Sequence, residues 1–408
     1  MPEPENIVIV GAALAGASAA KTLREEGYRG RIRLIGAEEH SPYIRPPLSK
    51  DYLSGEAERS SVFVEDERWY ADNDVELLTG TRVASIAPAE HAVTLESGER
   101  LDYDRLLLAT GSSPRSVELP GVELEGVHYL RTLDDSEALR RSLADGGKRL
   151  VLIGSGWIGM EVAATARTLG NEVVVLERGR FPLAAALGDE LGRMFADLHA
   201  ENGVQIRPST VADGIVGEGG RVTGVSVGDE VIPADLVLVG IGATPNVSLA
   251  ASAGIGVDNG VLVDAALRTS APDVFAAGDI ANAYHPVVRM RLRSEHWANA
   301  LNSGAAAAKS MLGHDVSYDA IPYFYTDQFD LGMEYSGYGP LAAGAELVYR
   351  GDRETREFIV FWVADGRVVA GMNVNVWDVN EAVQGIIRRG NAVDAAALAD
   401  ESVPLESL

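Results

Sequence analysis

Leu150-Val151-Leu152-Ile153-Gly154-Ser155-Gly156-Trp157-Ile158-Gly159 is an apolar run that breaks into a complete GxGxxG turn. A second stretch of the same build stands near the start of the chain. There Ile7-Val8-Ile9-Val10 leads into Gly11-Ala12-Ala13-Leu14-Ala15-Gly16. Each reads as strand, tight turn and helix start, which aims backbone N–H groups and the positive end of a helix dipole at a pyrophosphate. Alone, either turn could be a plain strand-to-helix connection. Two in one chain predict two dinucleotides, and so electron transfer between them.

Outward from each turn the sequence continues as a βαβ unit. After the first come a helix over about 14–26 and a strand Arg31-Ile32-Arg33-Leu34-Ile35. After the second come a helix from about Ile158 to Leu169, stopped by Gly170, and a strand Glu172-Val173-Val174-Val175-Leu176. The runs Leu106-Leu107-Leu108-Ala109-Thr110-Gly111 and Asp235-Leu236-Val237-Leu238-Val239-Gly240 are alike, so the second half repeats the layout of the first. From about residue 320 the pattern changes to alternating strand-like segments (346–350, 357–363, 367–371) and a helical tail over 378–389. The fold class expected is α/β, with two Rossmann-like dinucleotide-binding domains and a C-terminal α+β domain.

The two turns differ in detail. Ala13 replaces the middle glycine of the first, adding a methyl group where backbone approaches phosphate. The ribose-binding acid should follow about 20 residues on. Glu38 and Glu39 come later than that, whereas Glu177 ends its strand at close to the expected spacing. A carboxylate there accepts from both ribose hydroxyls and repels a 2′-phosphate, which favours NADH over NADPH; Arg178 beside it argues the other way.

The 408 residues exceed one ordinary core, and 46% apolar with 23% charged residues is ordinary for a globular protein. There is no cysteine, which removes disulfide, dithiol and thiolate-cluster chemistry, so any electron carrier must be an organic cofactor. Seven scattered histidines show no metal-ligand spacing. A net charge of −25 repels nucleic acid and anionic membranes. No apolar stretch reaches membrane-spanning length, and Met1-Pro2-Glu3-Pro4-Glu5 lacks a basic leader, so a cytoplasmic location is expected.

Other candidates are ambiguous on their own residues. Lys50 is a loop lysine constrained by Pro46 and Pro47. Asp279 follows a buried strand and reads equally as a helix cap or as a partner for sugar hydroxyls. Glu295-His296-Trp297 opens a helix, and Pro322-Tyr323-Phe324-Tyr325-Thr326-Asp327-Gln328-Phe329 is either core or a wall for a flat ring.

Together with the turns, Arg45-Pro46-Pro47-Leu48-Ser49-Lys50, Ala109-Thr110-Gly111, Tyr129-Leu130-Arg131-Thr132, Met160-Glu161, the stretch Thr269 to Asp279 and Glu295-His296-Trp297-Ala298-Asn299-Ala300 carry a resemblance. Over residues 5–390 the chain resembles the FAD-dependent NADH:ferredoxin reductases of bacterial oxygenase systems, the putidaredoxin reductase group with the glutathione reductase fold. The resemblance implies an FAD domain (1–112 and 244–319) interrupted by an NADH domain (113–243), then a C-terminal domain (320–408). It implies that Gly11, Ala13, Leu14, Ala15 and Gly16 cradle the FAD pyrophosphate, with Glu38 standing in for the ribose acid, since the usual position is Ala37. Arg45, Pro46 and Lys50 would contact FAD, Lys50 near the flavin and paired with Glu161 as the catalytic pair. Val83 and Arg131 would lie on the adenosine side. Ala109, Thr110, Gly111, Gly278, Asp279, Glu295, His296, Trp297 and Tyr325 complete the implied flavin site, with Tyr325 where a tryptophan is usual. Gly154, Gly156, Trp157, Ile158, Gly159, Glu161, Glu177 and Gly242 would hold NADH.

The implied reaction passes hydride from NADH to FAD, then single electrons to an iron–sulfur ferredoxin. Arg289, Arg291 and Arg293 alternate, and on an extended segment they would share one face for docking an acidic ferredoxin. Alternatives are an NADH oxidase or NADH-dependent reductase of a small acceptor, and a redox flavoprotein like apoptosis-inducing factor.

Overall fold

The structure, a computed structural model, describes residues 4–408; Met1 to Glu3, part of the start read above, lie outside the described residues. The chain forms two compact units, one of residues 4–44, 59–113 and 244–322, the other of residues 45–58, 114–243 and 323–408.

The first unit is built on a parallel sheet in the order Val274–Ala276, Arg105–Leu108, Asn6–Val10, Arg31–Ile35, Val75–Leu78. Ile7, Ile9, Leu106 and Leu107 are fully buried, which is why these strands read as unbroken apolar runs. Each such side chain contributes roughly 1.5–3 kcal/mol on burial. The helices Leu14–Glu25 and Trp297–Met311 pack backbone to backbone, so close that a Cβ at Gly304 would collide with the Ala15 carbonyl. Two small three-stranded sheets complete the unit, Val83–Ala87 with Ala92–Leu95 and Arg100–Asp102, and Val261–Val263 with Ala281–His285 and Met290–Leu292.

The second unit repeats the plan. Its parallel sheet runs Gln205–Arg207, Glu172–Leu176, Arg149–Ile153, Leu236–Val239, Val127–His128. The helix Trp157–Thr168 follows the glycine turn and stops before Gly170, as expected. The C-terminal part is an antiparallel sheet ordered Tyr323–Gln328, Leu331–Gly337, Arg367–Val374, Glu357–Ala364, Glu346–Asp352. Helix Asn380–Arg389 covers it so tightly that a Cβ at Gly371 would stand 2.5 Å from Val383 Cγ1. Among the described residues no helix is long and apolar enough to cross a membrane.

Just before Lys50, Pro46–Ser49 close into a single 3-10 turn. Two prolines at its first positions suit it, because their missing N–H groups would be unpaired there anyway.

Candidate functional site

In the first unit the glycine turn is fixed from both sides. Gly11 donates to the Ile35 carbonyl (2.8 Å) and adopts φ +118°. A Cβ there would collide with the Ala109 carbonyl, and one at Gly16 with the Gly11 carbonyl. Ala13 stands outside this constraint, extended at φ −102°, ψ −168°, as the N-cap of the helix that carries Leu14, Ala15 and Gly16. No side chain caps that helix, so its first N–H groups remain available to an anion.

Three other expected stretches converge on Ala15 and the turn. A Cβ on Gly278 would lie 3.0 Å from Ala15 Cβ, and the Gly278 amide donates to Ser303 Oγ on the helix that starts at Trp297. Asp279, buried in the next turn position, accepts from Arg293 at its carbonyl (3.2 Å). Glu295 accepts from Arg293, and His296 is the N-cap of the helix. His296 keeps some exposed area yet is closely ringed by protein. That desolvation pushes its imidazole down to about 4, against the opposing pull of Asp279 and Glu295. Thr110 and Asn246 exchange hydrogen bonds (3.0 and 2.9 Å) and the Asn246 amide donates to Gly111, which ties Ala109 to Gly111 in place. Glu38 accepts from the Tyr43 hydroxyl, and Val83 heads the first strand of a small sheet.

In the second unit Gly154 donates to Leu176 (2.9 Å), adopts φ +101°, and would place a Cβ 2.5 Å from the Gly240 carbonyl. A Cβ at Gly159 would stand 2.7 Å from the Gly154 carbonyl, whereas one at Gly156 would meet no protein atom within 4 Å. The protein's own packing therefore leaves the space beside Gly156 open. Glu177 sits beside it, accepting from Ser155 Oγ and from the Gly179 amide, while Arg178 is exposed. Trp157 stacks on Phe324 (4.7 Å between centroids), Ile158 is exposed, and Gly242 accepts from the Arg115 amide (2.9 Å).

The same unit assembles a buried ion pair. Lys50 Nζ lies 3.3 Å from Glu161 Oε1, with side-chain exposures of 10% and 8%. The backbone explains the placement. Thr165 donates to the Ser49 carbonyl and Ser136 to the Leu48 carbonyl, both at 2.8 Å, which pins the Pro46–Ser49 turn. Glu161 and Thr165, four apart on one helix, share the face that meets it. Glu161 also accepts from Ser49 Oγ and from Thr326 Oγ1 (2.7 Å). Lys50 is 5.3 Å from the centroid of the Tyr325 ring, whose phenol burial pushes up in pKa. Asp327 is also raised, by burial first, against the pull of Lys50. Removing one partner of such a pair costs about 3–5 kcal/mol, while an apolar replacement of both is often harmless. Stability alone therefore gives no reason for the pair. Arg45 reaches the Arg131 carbonyl in this unit, with Pro46 beside it.

The expected residues thus fall into two groups. Gly11 to Gly16, Glu38, Val83, Ala109 to Gly111, and Gly278 to Trp297 belong to the first unit. Arg45, Pro46, Lys50, Arg131, Glu161, Tyr325 and the Gly154 turn belong to the second. Ser49 and Thr326 were missed. Their signal was weak: Thr326 is a polar residue on the buried face of a strand, two places from Gln328.

The arginine expectation needs correction. Only Met290–Leu292 is strand; Arg289 precedes it in a turn at φ +55°. Arg291 donates to the carbonyls of Val263 and Asn282 (both 2.9 Å), and Arg293 is engaged with Glu295 and Asp279. The three arginines do not form one free face, because backbone carbonyls and Glu295 take up two of them.

Comparison with known proteins agrees with this geometry. Residues 5–304 match the pyridine nucleotide-disulphide oxidoreductase model and residues 323–408 the reductase C-terminal model. The ferredoxin–NAD(+) reductase component of the anthranilate 1,2-dioxygenase system of Burkholderia cepacia is 39% identical, over 98% of each chain. Putidaredoxin reductase of Pseudomonas putida is 37% identical over 99% of this chain and 96% of its own. A ferredoxin reductase from Rhodopseudomonas palustris superposes with a TM-score of 0.94 at 36% identity, covering 99% of both chains. A covalent putidaredoxin reductase–putidaredoxin complex gives 0.94 at 37% identity, covering 99% of this chain and 97% of that one. The family implies FAD and NADH as cofactors, and the uncapped helix start after Gly11 and the open space at Gly156 fit a dinucleotide. The chain belongs to the pyridine nucleotide-disulphide oxidoreductase family and carries that family's reductase C-terminal domain.

Proposed function

We propose that this protein is an NADH-dependent ferredoxin reductase that serves an oxygenase. The observation that carries the reading is the pair of like glycine turns, each with an uncapped or open cradle, together with a buried lysine–carboxylate pair that stability does not require. When bound, FAD supplies the chemistry, taking a hydride's two electrons and releasing them one at a time. The chain supplies orientation and charge. We assign FAD to segments 1–112 and 244–319, NADH to 113–243, and the remaining 320–408 to the C-terminal domain. In this assignment the Gly11 turn holds the FAD pyrophosphate, Asp279 its sugar hydroxyls, and Arg45 and Arg131 its outer part. The Gly154 turn and Glu177 hold NADH. Lys50, held in place by Glu161, stabilises negative charge on the reduced cofactor. With no cysteine, the disulfide chemistry of the wider family has no residues to run on.

Arg289, with the exposed part of Arg291, is the proposed docking point for a ferredoxin-type partner, a local positive feature on a chain of net charge −25. The reaction is proposed to run in the cytoplasm, where NADH is available. Steady-state assays test both parts. NADH-driven cytochrome c reduction should be fast only with added ferredoxin; hydrogen peroxide formed at the same rate without it would overturn the assignment. Arg289→Glu should raise the KM for ferredoxin by ~3- to 10-fold with dye reduction by NADH unchanged. An unchanged KM removes Arg289 from the docking surface.

A further inference from the structure

Behind Glu161 the structure continues as a buried hydrogen-bonded chain. Thr326 and Gln328 project from the same face of strand Tyr323–Gln328, and each is 1% exposed. Gln328 Nε2 lies 3.1 Å from Thr326 Oγ1. Gln328 Oε1 lies 2.8 Å from Nε2 of His199, which is fully buried on helix Asp189–Glu201. His199 Nδ1 has no hydrogen-bond partner among the described residues, and the Phe329 ring stands edge-on 5.1 Å away.

The direction of this chain follows from its end. An ionised Glu161 only accepts, so Thr326 must donate to it. The Thr326 oxygen is then left to accept, so Gln328 presents its amide nitrogen. Gln328 Oε1 consequently faces His199, which must carry its proton on Nε2. Every donor points toward Glu161, and bonds aligned this way reinforce one another in a low-dielectric interior. The opposite direction would put the His199 proton on Nδ1, a buried donor with no acceptor among the described residues, and such a group bears its full desolvation penalty. The buried chain therefore fixes which way Thr326 donates, toward Glu161 Oε1.

We propose that His199 and Gln328 are positioning residues, acting through Thr326 to fix the Glu161 carboxylate and so to hold the Lys50 ammonium aimed. The inference rests on the reading of Lys50 and Glu161 as the pair that serves the flavin. Both act at a distance through one hydroxyl.

The test uses the full FAD-loaded chain. The first readout is the His199 tautomer, from the 15N shifts of its ring near neutral pH. The protonated nitrogen should be Nε2 in the unaltered protein, and Thr326→Val, which cuts the chain, should give a mixture. A proton on Nδ1 in the unaltered protein, or a tautomer indifferent to Thr326→Val, overturns the proposal. The second readout is the rate of flavin reduction by NADH in stopped flow. His199→Phe, which keeps the ring but loses the donor, should slow it ~3- to 10-fold with NADH affinity unchanged. His199→Gln, which restores a donor, should recover the rate to within ~2-fold. Equal rates for His199→Phe and the unaltered protein overturn the proposal. Lys50→Met separates the two possible failures. If it reduces flavin at the normal rate, the reading of Lys50 fails. If it is slow while His199→Phe is fast, only the buried chain fails.

Discussion

At the middle of its glycine turn the first unit carries Ala13 and the second Gly156, on nearly the same backbone. Their φ values are −102° and −74°, and their ψ values −168° and −178°. The leading glycines differ from them in kind, Gly11 at φ +118° and Gly154 at +101°, each with a carbonyl where a Cβ would go. The contrast separates two demands that one motif combines. The leading position is dictated by the protein's own chain, and the middle one is not. Extended backbone accepts any residue, so alanine at position 13 leaves the fold untouched and, in the proposed function, alters only the surface offered to a phosphate.

The contrast can be broken most severely at the leading positions. Gly11→Ala and Gly154→Ala should each destabilise their unit by about 3 kcal/mol or more, through positive φ and carbonyl overlap together. Thermal melts of soluble protein check this, and a melt unchanged in either variant contradicts the carbonyl packing.

Acid sharpens the comparison between the units. Burial lowers His199 in the second unit from 6.5 to about 4, with the Gln328 bond opposing. Because the folded pKa is below the unfolded one, the unfolded chain binds the proton first as pH falls. Stability from keeping His199 neutral is complete above pH ~6.5 and is lost between ~6.5 and ~4, by roughly 3 kcal/mol in total. His296 in the first unit is also held low, but it keeps exposed area and has two carboxylates opposing its shift. Urea midpoints at neutral and acid pH should show His199→Gln removing more acid sensitivity than His296→Gln.

At the middle position the effects fall on ligands. Gly156→Ala should leave the melting temperature unchanged, since its Cβ would meet no protein atom within 4 Å, and on the proposed NADH assignment should raise the KM for NADH by ~10-fold. Ala13→Gly should be the mildest change, altering FAD affinity by only ~2-fold with the fold unchanged. FAD retention on dilution checks it.

Much of this was legible in the sequence. Parallel strands buried on both faces must be apolar throughout, so Ile7 to Val10 and Leu150 to Ile153 announced themselves, and the glycine turns fixed what followed. Glu177 was legible because its distance from Gly154 is set by one helix and one strand. The resemblance paired Lys50 with Glu161, and the fold brings them to 3.3 Å. Contacts that depend on tertiary approach were not legible. Ser49, the pair Thr326 and Gln328, and His199 lie on three separate elements, and nothing local marks them as partners. The arginines at 289, 291 and 293 misled for a related reason: alternation fixes the face of a strand only where the strand continues, and it spans Met290–Leu292 alone. Glu38, expected as the ribose acid, accepts from the Tyr43 hydroxyl.

The central claim is that one cradle holds FAD and the other delivers NADH to it. Anaerobic titration of the purified, FAD-supplemented protein with NADH measures this directly. The account predicts a yellow protein whose flavin absorption bleaches in proportion to added NADH. A colourless protein that takes up no FAD, or a bound flavin that NADH leaves oxidised, would contradict it.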